Sequence, residues 1–274
     1  MSVHDAQDPA NAPASPESPD SPASPGFPVS PGSAPGRRGP TYRELAVQAL
    51  SSVERGYDLL APKFDHTAYR TPDTVLDATA RALRPYGPFA AGLDLCCGTG
   101  AGARVLREVC AGTAAGLDFS AGMLDRAAAG PDGARVGWVR GEAHALPFRR
   151  GSFDLVVSFG AHGHFLPSAR PSLFAQVREV LRPGGRFAFP LAAPPRPGSP
   201  AYWSLLGFDM AMRVRNALWR PPFVMYYRTW PLADVRRELR EAGFAVSLVS
   251  LTELGRRRDG APRCRLVLAT RLPS

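Results

Sequence analysis

The stretch LDLCCGTGAG, residues 93–102, runs an apolar strand straight into a glycine-rich turn. A second apolar segment, GLDFS, then ends in a carboxylate at Asp118. Few folds accommodate this order. Gly98 and Gly100 can adopt backbone angles that other residues avoid, and without side chains they let a ligand approach the main chain. A helix after such a turn points its N-terminus, with its partial positive charge, at whatever anionic group sits there. A carboxylate at the end of the second strand is placed to accept hydrogen bonds from the two hydroxyls of a ribose. The pattern predicts an α/β protein with a nucleoside pocket.

Two classes of nucleoside use such a pocket. Gly98, Gly100 and Ala103 satisfy the loose dinucleotide fingerprint, which tolerates alanine at its third position. Asp94 argues the other way. A carboxylate at that strand end would repel a pyrophosphate, whereas it suits the ammonium of a methionine moiety. The chain also has no Tyr-x-x-x-Lys pair of the kind a nicotinamide oxidoreductase would use, because Lys63 is its sole lysine. Further along come GEAHALPF (141–148), FDLVVS (153–158) and VLRPGGRFAF (180–189). With these motifs in their order and spacing, residues 57–271 resemble the class I S-adenosylmethionine-dependent methyltransferases, in the branch of quinone-biosynthesis and small-molecule enzymes.

That resemblance implies a Rossmann-like, seven-stranded mixed sheet with helices on both faces, an N-terminal helical lid and a cap insertion after the fifth strand. Residue periodicity supports the alternation independently. Helices are expected at 42–60, 74–83, 101–109, 121–129, 172–181 and 232–242. Strands are expected at 93–96, 114–118, 136–140, 154–159, 186–191, 245–251 and 263–270. Residues 193–231 interrupt this rhythm with large apolar side chains, among them Tyr202, Trp203, Met210, Trp219, Tyr226, Tyr227 and Trp230. The resemblance reads them as a cap over the substrate; cover for a sheet edge or a dimer contact is the plainer alternative.

The implied cofactor is S-adenosyl-L-methionine. Asp94 would take its ammonium, with Cys96 and the Gly98 and Gly100 main chain alongside. Asp118 would take the ribose, and Phe119 and Met123 would pack on the adenine, although a methionine on a helix also reads as plain core. Glu142 and Ala143 stand where the family carries an acid and a small residue reading the adenine edge. Ser158 and Phe159 end the fourth strand, where the methyl group should emerge. His162 and His164, in FGAHGHF, are the candidate general bases, since an imidazole titrates near neutral pH. His66 and His144 read as polar surface or lid residues, and Tyr69, Arg70 and Arg228 as residues within reach of a substrate.

Composition bounds the rest. The 274 residues suffice for one large core plus appendages. Residues 1–40 hold ten prolines, including an SP repeat from Ser15 to Pro25, with almost nothing to bury. They are expected to be a disordered or polyproline tail ahead of a domain at 41–274. Acids in the tail argue against a transit peptide. Without the tail, 31 basic residues face 20 acidic ones, a net charge of +11, nearly all arginine. Such basicity permits RNA or anionic partners without demanding them. An RNA methyltransferase is therefore the alternative, though no adenine N6 or cytosine C5 motif appears. A scaffold with dead chemistry is disfavoured by the intact Asp94, glycines and Asp118. Cys96, Cys97, Cys110 and Cys264 match no zinc or redox spacing. The expectation is a reduced, cytoplasmic, metal-free enzyme without a membrane span, monomeric or homodimeric, acting on a small molecule.

Overall fold

The computed structural model describes residue 41 and residues 53–67, 69–219 and 230–273. The proposed tail (1–40), the start of the first expected helix and Tyr226, Tyr227 and Arg228 lie outside these residues. Seven strands form one sheet: β1 (Phe89–Leu95), β2 (Cys110–Asp118), β3 (Gly137–Arg140), β4 (Phe153–Val157), β5 (Leu181–Ala192), β6 (Phe244–Ser250) and β7 (Cys264–Arg271). Their order across the sheet is β3-β2-β1-β4-β5-β7-β6. The first five run parallel, while β7 inserts antiparallel between β5 and β6. The expected mixed, Rossmann-like sheet is the one observed.

The central strands are apolar because helices cover both faces, as parallel sheets require. In β1 every residue but Ala90 is buried. On one face Leu93, Leu95, Val156, Phe187 and Phe189 pack against Phe174 and Val177 of a helix at Arg170–Val180 and against Val235 and Leu239 of a helix at Leu232–Glu241. On the other face Leu155, Val157, Leu266 and Leu268 pack with Leu76 and Leu83 of a helix at Asp73–Leu83 and with Val105 and Leu106 of a helix at Ala103–Val109. Among the described residues the remaining α-helices are Val53–Leu60, Ala121–Ala128 and Pro200–Trp219. In chain order these seven helices are α1 (Val53–Leu60), α2 (Asp73–Leu83), α3 (Ala103–Val109), α4 (Ala121–Ala128), α5 (Arg170–Val180), α6 (Pro200–Trp219) and α7 (Leu232–Glu241).

Several boundaries move for physical reasons. Helix α3 starts two residues later than expected, because residues 98–102 are consumed by the turn. Strand β5 starts earlier, at Leu181, and absorbs the RPGG segment as an irregularity: Leu181 pairs with Phe153, and pairing resumes at Arg186 opposite Leu155. Gly184 permits this through its positive φ of 77°. The segment after β5 carries a 20-residue helix, α6, whose Trp203, Met210 and Val214 are exposed.

The strand order reverses between β1 and β4. Connections leaving β1 go one way and those reaching β4 return from the other, so a crevice opens beyond the carboxyl ends of these two strands.

Candidate active site

That crevice holds a cavity of about 550 Å³, a size suited to a small organic ligand. Its floor is the glycine turn. Cys96 takes the left-handed φ of 57°, followed by Gly98 at 53° and Gly100 at 87°. Gly98 lines the cavity, but Gly100 does not. A Cβ on Gly100 would lie 2.9 Å from the Trp138 ring and 3.2 Å from Ala127 Cβ. Gly100 therefore serves the close packing of turn, β3 and α4, a role that the sequence does not show.

One pole of the cavity is acidic. Asp118 ends β2 almost fully buried, its Oδ2 accepting from Gly98 N at 2.9 Å and its Oδ1 from Ser120 N at 3.0 Å. The carboxylate thereby clips the glycine turn to the start of α4. An ionised carboxylate offers about four acceptor positions, so capacity remains for further donors. Burial raises its pKa, the three backbone N–H groups of Ser120, Gly98 and Phe119 draw it back, and Asp58 adds to the rise.

Asp94 is more extreme. It is 1 % exposed, and neither carboxylate oxygen has a hydrogen-bond partner of normal geometry. Burial first, and then the Asp118 charge, push its pKa well above the usual carboxylate range; the nearby Gly102 amide offsets this in part. A Cβ on Gly102 would lie 2.5 Å from Asp94 Oδ2, so only glycine fits over this carboxylate. The sequence reading passed over Gly102, and only the fold places it on Asp94. An orphaned carboxylate beside an open turn fits a cationic ligand group. Phe119, Met123, Glu142 and Ala143 line the same end.

The other pole is aromatic. Phe159, His162, His164, Phe165 and Trp230 line it. Gly160, at φ 75°, turns the chain from β4 into a short 3-10 turn, Ala161–His164, that carries both histidines. The His162 ring lies 4.4 Å from Phe189 and 4.7 Å from Trp230, and its Nε2 is buried without a partner. Arg170 lies 5.3 Å behind the Trp230 ring, itself 3.4 Å from Glu238. Ser158 follows the last residue of β4, where its Oγ donates to the Leu95 carbonyl at 2.8 Å and ties β4 to β1, while Phe159 beside it lines the cavity. His144 is exposed at the rim, edge-on to Phe165 at 5.4 Å, and His66 is exposed on the 3-10 turn Ala61–His66.

The N-terminal helix closes over both poles. Tyr57, Phe64, Tyr69 and Arg70 line the cavity from this side. Asp58 Oδ1 accepts from Ser120 Oγ at 2.5 Å and Gly122 N at 2.9 Å, Thr99 Oγ1 donates to Asp65 at 2.6 Å, and Glu54 pairs with Arg140. Ser120 also caps α4, accepting from Met123 N at 3.1 Å.

Burial drives the His162 pKa down to about 3, with His164 adding to the shift, and drives His164 down to about 4. Both imidazoles are neutral at pH 7. A histidine with a depressed folded pKa makes the unfolded chain the better proton binder, so stability is full above the unfolded value near 6.5 and falls as pH drops through the window to about 4. His162→Phe, which keeps an aromatic ring against Phe189 and Trp230, should flatten part of that fall. Urea melts of both proteins at pH 7.0 and 4.5 measure it; equal losses would mean that His162 is not desolvated.

A methyltransferase-domain family model matches residues 93–185, from the glycine motif to the end of the RPGG segment. The chain is 35 % identical over 156 residues to the demethylmenaquinone methyltransferase of Lactiplantibacillus plantarum, covering 52 % of this chain and 63 % of the relative. It is 32 % identical over 185 residues to the demethylmenaquinone methyltransferase of Symbiobacterium thermophilum, covering 60 % of this chain and 71 % of the relative. The chain belongs to the class I S-adenosylmethionine-dependent methyltransferases. The chain spans about half the length of several curated relatives it matches, 58 %, 63 % and 49 % in three cases. The magnesium protoporphyrin IX methyltransferase of Synechocystis PCC 6803, solved with bound SAH, shares the fold, with a TM-score of 0.51 at 17 % identity over 72 % of this chain and 81 % of that one. The cofactor of the family is S-adenosyl-L-methionine, and the acidic pole and glycine turn of this chain suit it. Among the described residues, no helix is long and apolar enough to cross a membrane, and no cluster of ligands could hold a metal ion. All four cysteines are free thiols, with raised pKa values and burial the leading cause in each.

Proposed function

We propose that this chain transfers a methyl group from S-adenosyl-L-methionine to a small, partly apolar acceptor. The observation that carries this reading is the division of one cavity into an acidic pole, with the orphaned Asp94 carboxylate, and an aromatic pole around His162, His164 and Trp230. In it, Asp94 faces the methionine ammonium and Asp118 the ribose hydroxyls, with Cys96 and Gly98 presenting main chain. Phe119 and Met123 hold the adenine faces, and Glu142 and Ala143 its edge. Phe159 stands where the methyl group leaves. The segment at 193–231 acts as an acceptor-side cap, touching the cavity through Trp230.

When bound, the cofactor supplies a methyl group on a good leaving group. The protein's part is then chiefly to hold acceptor and methyl group in line, an advantage of about 7–11 kcal/mol when well realised. The lid residues Tyr57 and Phe64 exclude water from the reacting atoms. Of the two candidate bases, both neutral at pH 7, His164 meets a hydroxyl and is the one that takes up the proton of an acceptor that retains one, while His162 packs between Phe189 and Trp230. The relatives' names point to a fused aromatic ring bearing hydroxyl or keto groups, and the aromatic pole suits one. An RNA acceptor would need an open basic surface. Arg237 is paired with Asp234 and Glu241, and Arg257 with Asp259, which leaves less free charge than composition suggests.

Calorimetry with S-adenosylmethionine, S-adenosylhomocysteine and NADPH tests the cofactor, followed by methylation assays on hydroxynaphthalenes and on total RNA. Micromolar binding of S-adenosylhomocysteine and methylation of the small aromatic are the expected results. Binding of NADPH alone would overturn the reading, and salt-sensitive RNA methylation would replace the acceptor.

A further inference from the structure

The Tyr57 hydroxyl lies 2.8 Å from His164 Nε2, across 107 residues of chain. The phenol ring is held from three sides: edge-on to Phe119 at 5.8 Å, edge-on to His164 at 5.7 Å and tilted against Phe64 at 6.5 Å. Both partners line the cavity at its aromatic pole. Tyr57 sits on α1, so the docking of this helix over the cavity is what places its hydroxyl at the histidine.

Electrostatics fix the protonation of the pair. Burial, then Asp118, Tyr69 and Cys96, push the Tyr57 hydroxyl pKa up, while burial holds His164 at about 4. His162, its neighbour, is neutral as well. Both groups are therefore neutral in this desolvated corner, and with the ring proton on Nδ1 the phenol O–H donates to Nε2, the tautomer a relay requires.

We propose that Tyr57 and His164 form a proton relay for the methyl acceptor, with Tyr57 as the catalytic residue that touches it. The inference rests on the methyl-transfer reading above. As the acceptor forms its new bond to the methyl carbon, the bond from that carbon to sulfur breaks and its electron pair stays on sulfur. The acceptor's proton passes to the Tyr57 oxygen while Tyr57's own proton passes to His164 Nε2. The products are a methylated acceptor, a neutral thioether, a neutral tyrosine and an imidazolium. The positive charge lost from sulfur reappears on His164, and water removes that proton once the lid opens. His162 is the poorer candidate for this step, because its ring is wedged between Phe189 and Trp230 and its Nε2 meets no hydroxyl.

Tyr57→Phe keeps the ring contacts and deletes only the hydroxyl. Its first readout needs neither cofactor nor acceptor: an NMR titration of His164, assigned among the five histidines by its loss in His164→Gln. The His164 pKa should rise in Tyr57→Phe, because the neutral imidazole loses its donor; an unchanged value overturns the pair. The second readout compares a hydroxynaphthalene, protonated at pH 7, with 2,4-dinitrophenol, already ionised there. Tyr57→Phe should cut kcat by about 10²–10⁴-fold for the first and less than about threefold for the second, with KM and S-adenosylhomocysteine affinity unchanged. Equal losses on both acceptors would show that the hydroxyl only positions them and would overturn the relay. Failure of the wild-type protein to bind S-adenosylhomocysteine would instead overturn the methyl-transfer reading, leaving the His164 titration to judge the pair by itself.

Discussion

Asp118→Ala should weaken S-adenosylhomocysteine binding at least tenfold in calorimetry. Two ribose hydroxyls donating to one carboxylate make charge-assisted bonds, each worth about 1.5–3 kcal/mol, and about 1.4 kcal/mol corresponds to a factor of ten. The same substitution removes the acceptor of Gly98 N and Ser120 N, bonds of 2.9 and 3.0 Å that hold the glycine turn in shape. Thermal stability without ligand should therefore fall as well. Asp118→Asn separates the two contributions: its amide oxygen can still accept one of the backbone bonds, whereas the loss of charge weakens both ribose bonds. A Kd unchanged in the alanine variant would mean that the ribose lies elsewhere.

Asp94→Asn should have effects of opposite sign on stability and binding. The ligand-free protein carries an almost fully buried carboxylate with both oxygens unpartnered, and an amide of the same shape has no charge to desolvate. The melting temperature should rise at pH 8, where Asp94 is driven toward ionisation. Affinity for S-adenosylmethionine should fall by about tenfold or more, since the ammonium loses its counter-charge. The pH dependence follows from linkage. With a folded pKa raised above 3.8, the folded state binds the extra proton, so stability falls as pH climbs from that value through the folded pKa. A cationic ligand favours the ionised form, so binding should release a proton and strengthen as pH rises through the same window. Calorimetry in buffers of different ionisation heat counts that proton. No proton release in wild type, or a melting temperature that drops in Asp94→Asn, would place the ammonium away from Asp94. A site residue that costs stability while contributing affinity is a common compromise.

Much of this fold is written locally. The run from Leu93 to Leu95, the glycines after it and the carboxylate of Asp118 occur within a short span of chain, where strand periodicity and turn chemistry act between neighbours. Those signals predict the parallel sheet and a donor pocket beyond its edge. They do not show that Gly100 packs against Trp138 or that Ser158 bonds to Leu95, because such a glycine and such a serine look, in sequence, like any others near a ligand. Helix α6 shows the same limit. Its apolar residues give no clean amphipathic pattern, and Trp203 and Met210 are exposed, whereas Trp230 beyond it lines the cavity, a difference the sequence does not show.

The sequence by itself determined the strand–turn–helix of the donor pocket and its acids, since each depends on backbone preferences and on charges close together in the chain. Only the tertiary structure decided which residues stand opposite them. Tyr57 reaches His164 across 107 residues, Asp58 reaches Ser120 across 62, and Gly102 closes over Asp94 only because β1 and α3 pack at that distance. Such contacts are set by how a lid helix docks on a finished sheet, an outcome of summed packing that no local period records.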